Sequence, residues 1–143
     1  MARVALCSLL AAWWPTAARA DLYVVVHPDN PVRALTAKEV TEIFLGRTRA
    51  FSSGEFAVPL DLPAESPARV RFYETLTGVP MAQVNSYWSR LMFSGQVTPP
   101  RALPDEASVG LAVRRQRGAI GYLTQEPADA SLRVVAVVRT PAP

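Results

Sequence analysis

The sequence predicts an α/β fold, a single domain in which a mixed sheet is flanked by helices. Short apolar runs at Leu22–Val26, Ala119–Leu123 and Leu132–Val138 have the length and β-branched content of buried strands. Segments with a helical repeat of apolar residues stand between them, so that strands and helices alternate. Proline- and glycine-rich stretches punctuate the boundaries.

The first twenty residues read as a leader. Arg3 gives a positive start, Val4 to Trp14 an apolar core and Ala18-Arg19-Ala20 a small-x-small cleavage pattern. This divides the chain into a secretory signal peptide (1–20), one domain (21–139) and a frayed Pro-rich tail (140–143), and it implies export to the periplasm. The single cysteine, Cys7, lies in the leader, so the processed chain has no thiol for catalysis, zinc binding or a disulfide. Stability must then come from an apolar core, which a domain of ordinary single-domain size can build. Formal charge is +3, from 15 basic and 12 acidic residues. Losing Arg3 and Arg19 leaves 13 basic residues against the same 12 acids, about +1. That balance does not describe a nucleic-acid binder. Beyond the leader no apolar run is long enough for membrane insertion.

In chain order, Leu22–Val26 is a strand that breaks at His27-Pro28-Asp29-Asn30-Pro31. Thr36-Ala37-Lys38-Glu39 is a capping box with Leu35 and Val40 as its staple; Ile43 and Phe44 continue the apolar face and Gly46 closes the helix. Arg47 to Phe56 reads as a polar surface loop. Ala57–Asp61 is a short strand, followed by a helix that begins at Ser66-Pro67 and carries Val70, Phe72, Tyr73 and Leu76. Thr77-Gly78-Val79-Pro80 stops it, and Met81, Val84, Trp88 and Leu91, widened by Tyr87 and Met92, start another that breaks at Phe93-Ser94-Gly95. Gln96 to Pro104, with Pro99-Pro100, reads as irregular. Asp105 caps a helix with Val109, Ala112 and Val113 inward, Arg114, Arg115 and Arg117 in its last turn and Gly118 at its end. Strands at 119–123 and 132–138 complete the chain.

The strand–loop–helix at 57–76 carries the candidate site. Arg69 and Arg71 sit in the first turns of a helix, where a cation opposes the dipole by roughly 0.3–1 kcal/mol. Glu65 and Asp61 nearby could offset them, or an anion could lie outside the helix start, where unpaired amides gather. Ser66, Arg69 and Arg71 are therefore candidate anion-binding residues; the other reading is an ordinary capped helix with arginines paired to Glu65 and Glu74. No catalytic constellation accompanies them. His27 is the only histidine and has no metal-ligand spacing, and no serine stands in a nucleophile elbow. The residues point to no enzyme, no metal and no cofactor. The Trp88, Tyr87, Met81 and Met92 set reads as core.

Three pieces resemble the substrate-binding proteins of phosphate ABC transporters, the type-2 periplasmic binding proteins. Leu35–Arg47, LTAKEVTEIFLGR, is similar to the family's helix ending in I-[FY]-L-G-[KR]. Ser66-Pro67-Ala68-Arg69 with Phe72 and Leu76 falls at its Ser-Gly-Thr loop and helix. Gly118-Ala119-Ile120-Gly121-Tyr122 matches its G-A-I-G-Y strand. The resemblance covers residues 22–125, one of the two lobes such proteins close around phosphate. It implies a solute-binding-type domain, with a small oxyanion such as phosphate and an ABC transporter permease or periplasmic protein as partners. At the loop only Ser66 matches in type. Glu65 and Pro67 stand for glycines, Ala68 for the threonine, and Leu60-Asp61-Leu62 lies where the family has an arginine. Two functions follow: weak oxyanion capture at the Ser66 helix start with Arg69 or Arg71 as counter-charge, or a ligand-free interaction or sensor-accessory domain that kept the fold and lost the pocket.

Overall fold

The computed structural model describes residues 20–140. The expected signal peptide (1–20) and tail (140–143) lie outside the described residues, apart from Ala20 and Thr140. There the Thr140 hydroxyl donates to the Ala20 carbonyl at 3.1 Å.

Nine elements follow in order: β1 (Leu22–Val26), α1 (Ala37–Phe44), β2 (Val58–Asp61), α2 (Pro67–Thr77), α3 (Met81–Ser94), β3 (Arg101–Ala102), α4 (Glu106–Arg115), β4 (Ala119–Leu123) and β5 (Arg133–Val138). The strands form one mixed sheet in the order β3-β2-β4-β1-β5. β1 is antiparallel to β4 and β5, whereas β2 is parallel to β4 and β3. This is the expected single domain, a mixed sheet flanked by helices.

Alternation along β4 shows how the layers are assembled. A side chain at Gly121 would point at Val109 and Val113 of α4. The next residue, Tyr122, points the other way and meets Phe44 of α1 and Phe72 of α2. Helices thus cover both faces of the central strands, which is why Val24, Val25 and Val26 are all fully buried instead of alternating. Gly121 belongs to this packing: a Cβ there would clash with the Val109 side chain, so glycine lets α4 lie close on the sheet.

Local signals explain the helix starts. Thr36 and Glu39 form the reciprocal capping box of α1, the Thr36 amide donating to Glu39 at 2.7 Å and the Glu39 amide to the Thr36 hydroxyl at 3.2 Å. Gly46 follows in the left-handed region at φ 69°. Asp105 caps α4 by accepting the Ser108 amide at 2.7 Å. α3 begins after Pro80 without a side-chain cap of its own; Glu74 of α2 accepts the Met81 amide at 2.9 Å in its place.

Four sequence expectations need correction. Residues 96–104 are not wholly irregular, since Arg101–Ala102 pairs with β2. At a sheet edge, prolines just before the strand leave the ladder intact. The 47–56 loop is not only surface: Phe51 is buried, and a tight turn is closed by the Gly54 amide on the Phe51 carbonyl at 2.9 Å. α4 ends at Arg115, before Gly118, and Arg117 lies beyond it, paired with Glu55 at 3.1 Å. Met92 is 58% exposed and does not join the core, because α3 buries only the Val84 and Trp88 side.

Candidate functional site

β2 delivers Asp61 to the face of the sheet covered by α1 and α2. The loop 62–65 then turns the chain into α2, whose N-cap is Ser66. The Ser66 hydroxyl accepts from the Arg69 amide at 3.5 Å, and Pro67 occupies the first helical position without a donor to offer. The capping hydroxyl is therefore engaged by its own helix.

The structure separates the two arginines. Arg69 turns inward: its Nε donates to Asp61 Oδ2 at 3.1 Å and its guanidinium lies over the Tyr73 ring at 5.1 Å. Asp61 is thus the carboxylate that offsets this cation; Glu74 is turned to the start of α3. Arg71 lines a cleft of about 530 Å³ with Leu62, Glu65, Ser66, Asp105, Glu106 and Thr124 among its walls. Its Nε is enclosed and has no hydrogen-bond partner. Ser66 and Arg71 therefore share a cleft, and Arg69 points elsewhere.

The cleft is lined by more negative than positive groups. Glu65 is exposed at its rim, Asp105 serves as the α4 cap, and Glu106 accepts both the amide of Thr124 and its hydroxyl, the latter at 2.9 Å. Hydrogen bonding to Ser108 holds the Asp105 carboxyl below the usual range, so it stays ionised. Two helix N-termini meet here, yet each is capped by its own side chain and three carboxylates surround one guanidinium. Such a field disfavours a multiply charged anion.

Asp61 itself is only 3% exposed. Oδ1 accepts the Tyr122 hydroxyl at 2.5 Å and the Leu62 amide at 2.8 Å; Oδ2 accepts the Tyr73 hydroxyl at 2.9 Å and Arg69. Burial, then the nearby Asp61 charge, push the Tyr73 and Tyr122 hydroxyls well above the usual tyrosine range, so both remain protonated donors. Sequence reasoning named Asp61 as a possible partner of Arg69 but missed the two tyrosines. Their signal was a phenol in place of a phenyl at core positions, which demands a partner for the hydroxyl. Among the described residues no group of three His, Cys, Asp or Glu side chains is placed to hold a metal ion.

No protein-family model and no curated protein sequence matches the chain. Solved structures do. A phosphate ABC transporter substrate-binding protein from Clostridium perfringens, solved with bound phosphate, aligns with a TM-score of 0.64 at 19% identity, over 81% of this chain and 45% of its own. The chain has the fold of one lobe of a phosphate-binding protein. An ABC-type phosphate transport receptor from Vibrio cholerae gives 0.62 at 18% identity, covering 81% of this chain and 47% of that one. PstS from Borrelia burgdorferi gives 0.59 at 11% identity, covering 82% and 48%. This chain thus spans about half the length of the binding proteins it resembles. The likeness is one of fold.

Proposed function

We propose that this protein is a non-enzymatic, exported lobe of the phosphate-binding-protein type that acts by contact with a protein partner in the periplasm, such as an ABC transporter permease, and does not capture free phosphate. The observation that carries this reading is the Arg69–Asp61 pair. The first guanidinium of α2 is already neutralised by a buried carboxylate, and the neighbouring loop offers no substitute. Pro67 has no amide hydrogen, Ala68 no hydroxyl, and Ser66 spends its oxygen on the helix. A phosphate buried without enough donors would leave charged oxygens unpaired, at a cost of several kcal/mol.

A second reading rests on Arg71. Its enclosed, unpartnered Nε beside Ser66 supports weak, salt-sensitive contact with an oxyanion at the cleft mouth, through half-exposed groups. Calorimetric titration with phosphate, sulfate and methylphosphonate separates the readings. The interaction lobe gives no saturable heat; the weak site gives millimolar binding that fades with added salt and with Arg71→Ala. Micromolar phosphate affinity in moderate salt contradicts both.

A further inference from the structure

Four donors converge on the Asp61 carboxylate; three are placed by the backbone or by ring packing, and the fourth, Arg69, has Asp61 as its hydrogen-bond partner and the Tyr73 ring beneath it. Tyr122 is held by β4 and by its ring, which stacks on Phe72 with centroids 3.9 Å apart and planes 8° apart. Tyr73 stands edge-on to Phe72 at 5.5 Å, on the same helix turn. Arg69 is anchored in α2 and packed over Tyr73. The Leu62 amide belongs to the backbone, where Leu62 is itself buried and the adjoining Asp61 carbonyl accepts the Leu103 amide at 2.9 Å. Packing and backbone therefore hold two hydroxyls and one amide, with the Arg69 guanidinium over the Tyr73 ring, as a cage around a buried, planar, two-oxygen anion. Donors fixed by packing keep their aim when the anion they serve is taken away.

We propose that this cage is a carboxylate-binding site whose occupant is the chain's own Asp61, and that it takes up a free small monocarboxylate, such as formate, when the Asp61 side chain is removed. The inference rests on the reading that Arg69 is unavailable to outside ligands, and it supplies the reason: the site is full. A carboxylate that merely filled space would leave no anion-selective hole behind.

The test is thermal unfolding of full-length Asp61→Ala in sodium formate, in sodium chloride of equal ionic strength and in neutral formamide. Formate should raise the melting temperature of Asp61→Ala by about 4 °C or more over chloride, in a saturable way, and formamide should not. Wild type and the isosteric Asp61→Asn should gain nothing, because their side chains still fill the cage. Adding Arg69→Ala to Asp61→Ala should abolish the gain. Asp61→Ser, which keeps one oxygen for the tyrosines, takes the place of Asp61→Ala if the alanine variant does not fold. Equal melting in formate and chloride for the vacated cage, or an equal formate gain in wild type, overturns the proposal. Failure of the functional reading would show separately, as saturable phosphate binding by wild type.

Discussion

Tyr122 and Tyr73 place hydroxyls against a buried carboxylate, and each can be removed without changing ring packing. Tyr122→Phe leaves Asp61 Oδ1 with the Leu62 amide alone and should cost roughly 1–3 kcal/mol, read as a lower urea midpoint at unchanged slope. An unchanged midpoint would mean the 2.5 Å contact contributes nothing. Alkaline pH probes the same groups. Both tyrosines have folded-state pKa values above the ordinary 10.0, so the unfolded chain loses these protons first. Their contribution to stability is complete below pH 10 and falls as pH rises beyond it. Denaturation midpoints measured across that range should drop steeply in wild type and less steeply in Tyr122→Phe. Parallel slopes for the two proteins would contradict the assignment.

Helix starts were the most legible part of the sequence, because a cap is a local chemical statement. Thr36 with Glu39, Ser66 with Pro67 and Asp105 each mark a helix that forms where expected. Thr36→Ala should cost about 1 kcal/mol through the lost amide acceptor, and an unaltered midpoint would contradict the cap. The errors fell where tertiary contact decides. Nothing local shows that Arg101–Ala102 will find β2, that Phe51 will bury itself, or that Met92 will face outward. Gly118 and Gly121 look like simple punctuation, yet both are matters of space: a Cβ on Gly118 would lie 2.5 Å from the Phe56 carbonyl oxygen, and one on Gly121 would strike Val109. Gly121→Val should therefore lift α4 from the sheet and lower the melting temperature more than Thr36→Ala does. A smaller loss would place α4 farther from β4 than described.

For the molecule as a whole, the fold of one binding-protein lobe was readable through the resemblance of three short segments in register, whereas the strand order, with β1 antiparallel to both of its neighbours, is set by pairings far apart in the chain. The site was readable only in part. Ser66, Arg69 and Arg71 stand close together in sequence, but side-chain direction divides them, and the partner that claims Arg69 comes from the preceding strand together with phenols from α2 and β4. The central claim is that Arg69 is already bound inside the protein. Arginine Nε–Hε resonances of the ¹⁵N-labelled protein report this directly during a phosphate titration. Arg69 should show a slowly exchanging Hε, held by Asp61, that does not move at any phosphate concentration, while any shift is confined to Arg71 at millimolar levels. A saturating shift of the Arg69 Hε signal at micromolar phosphate would show an open anion site and contradict the account.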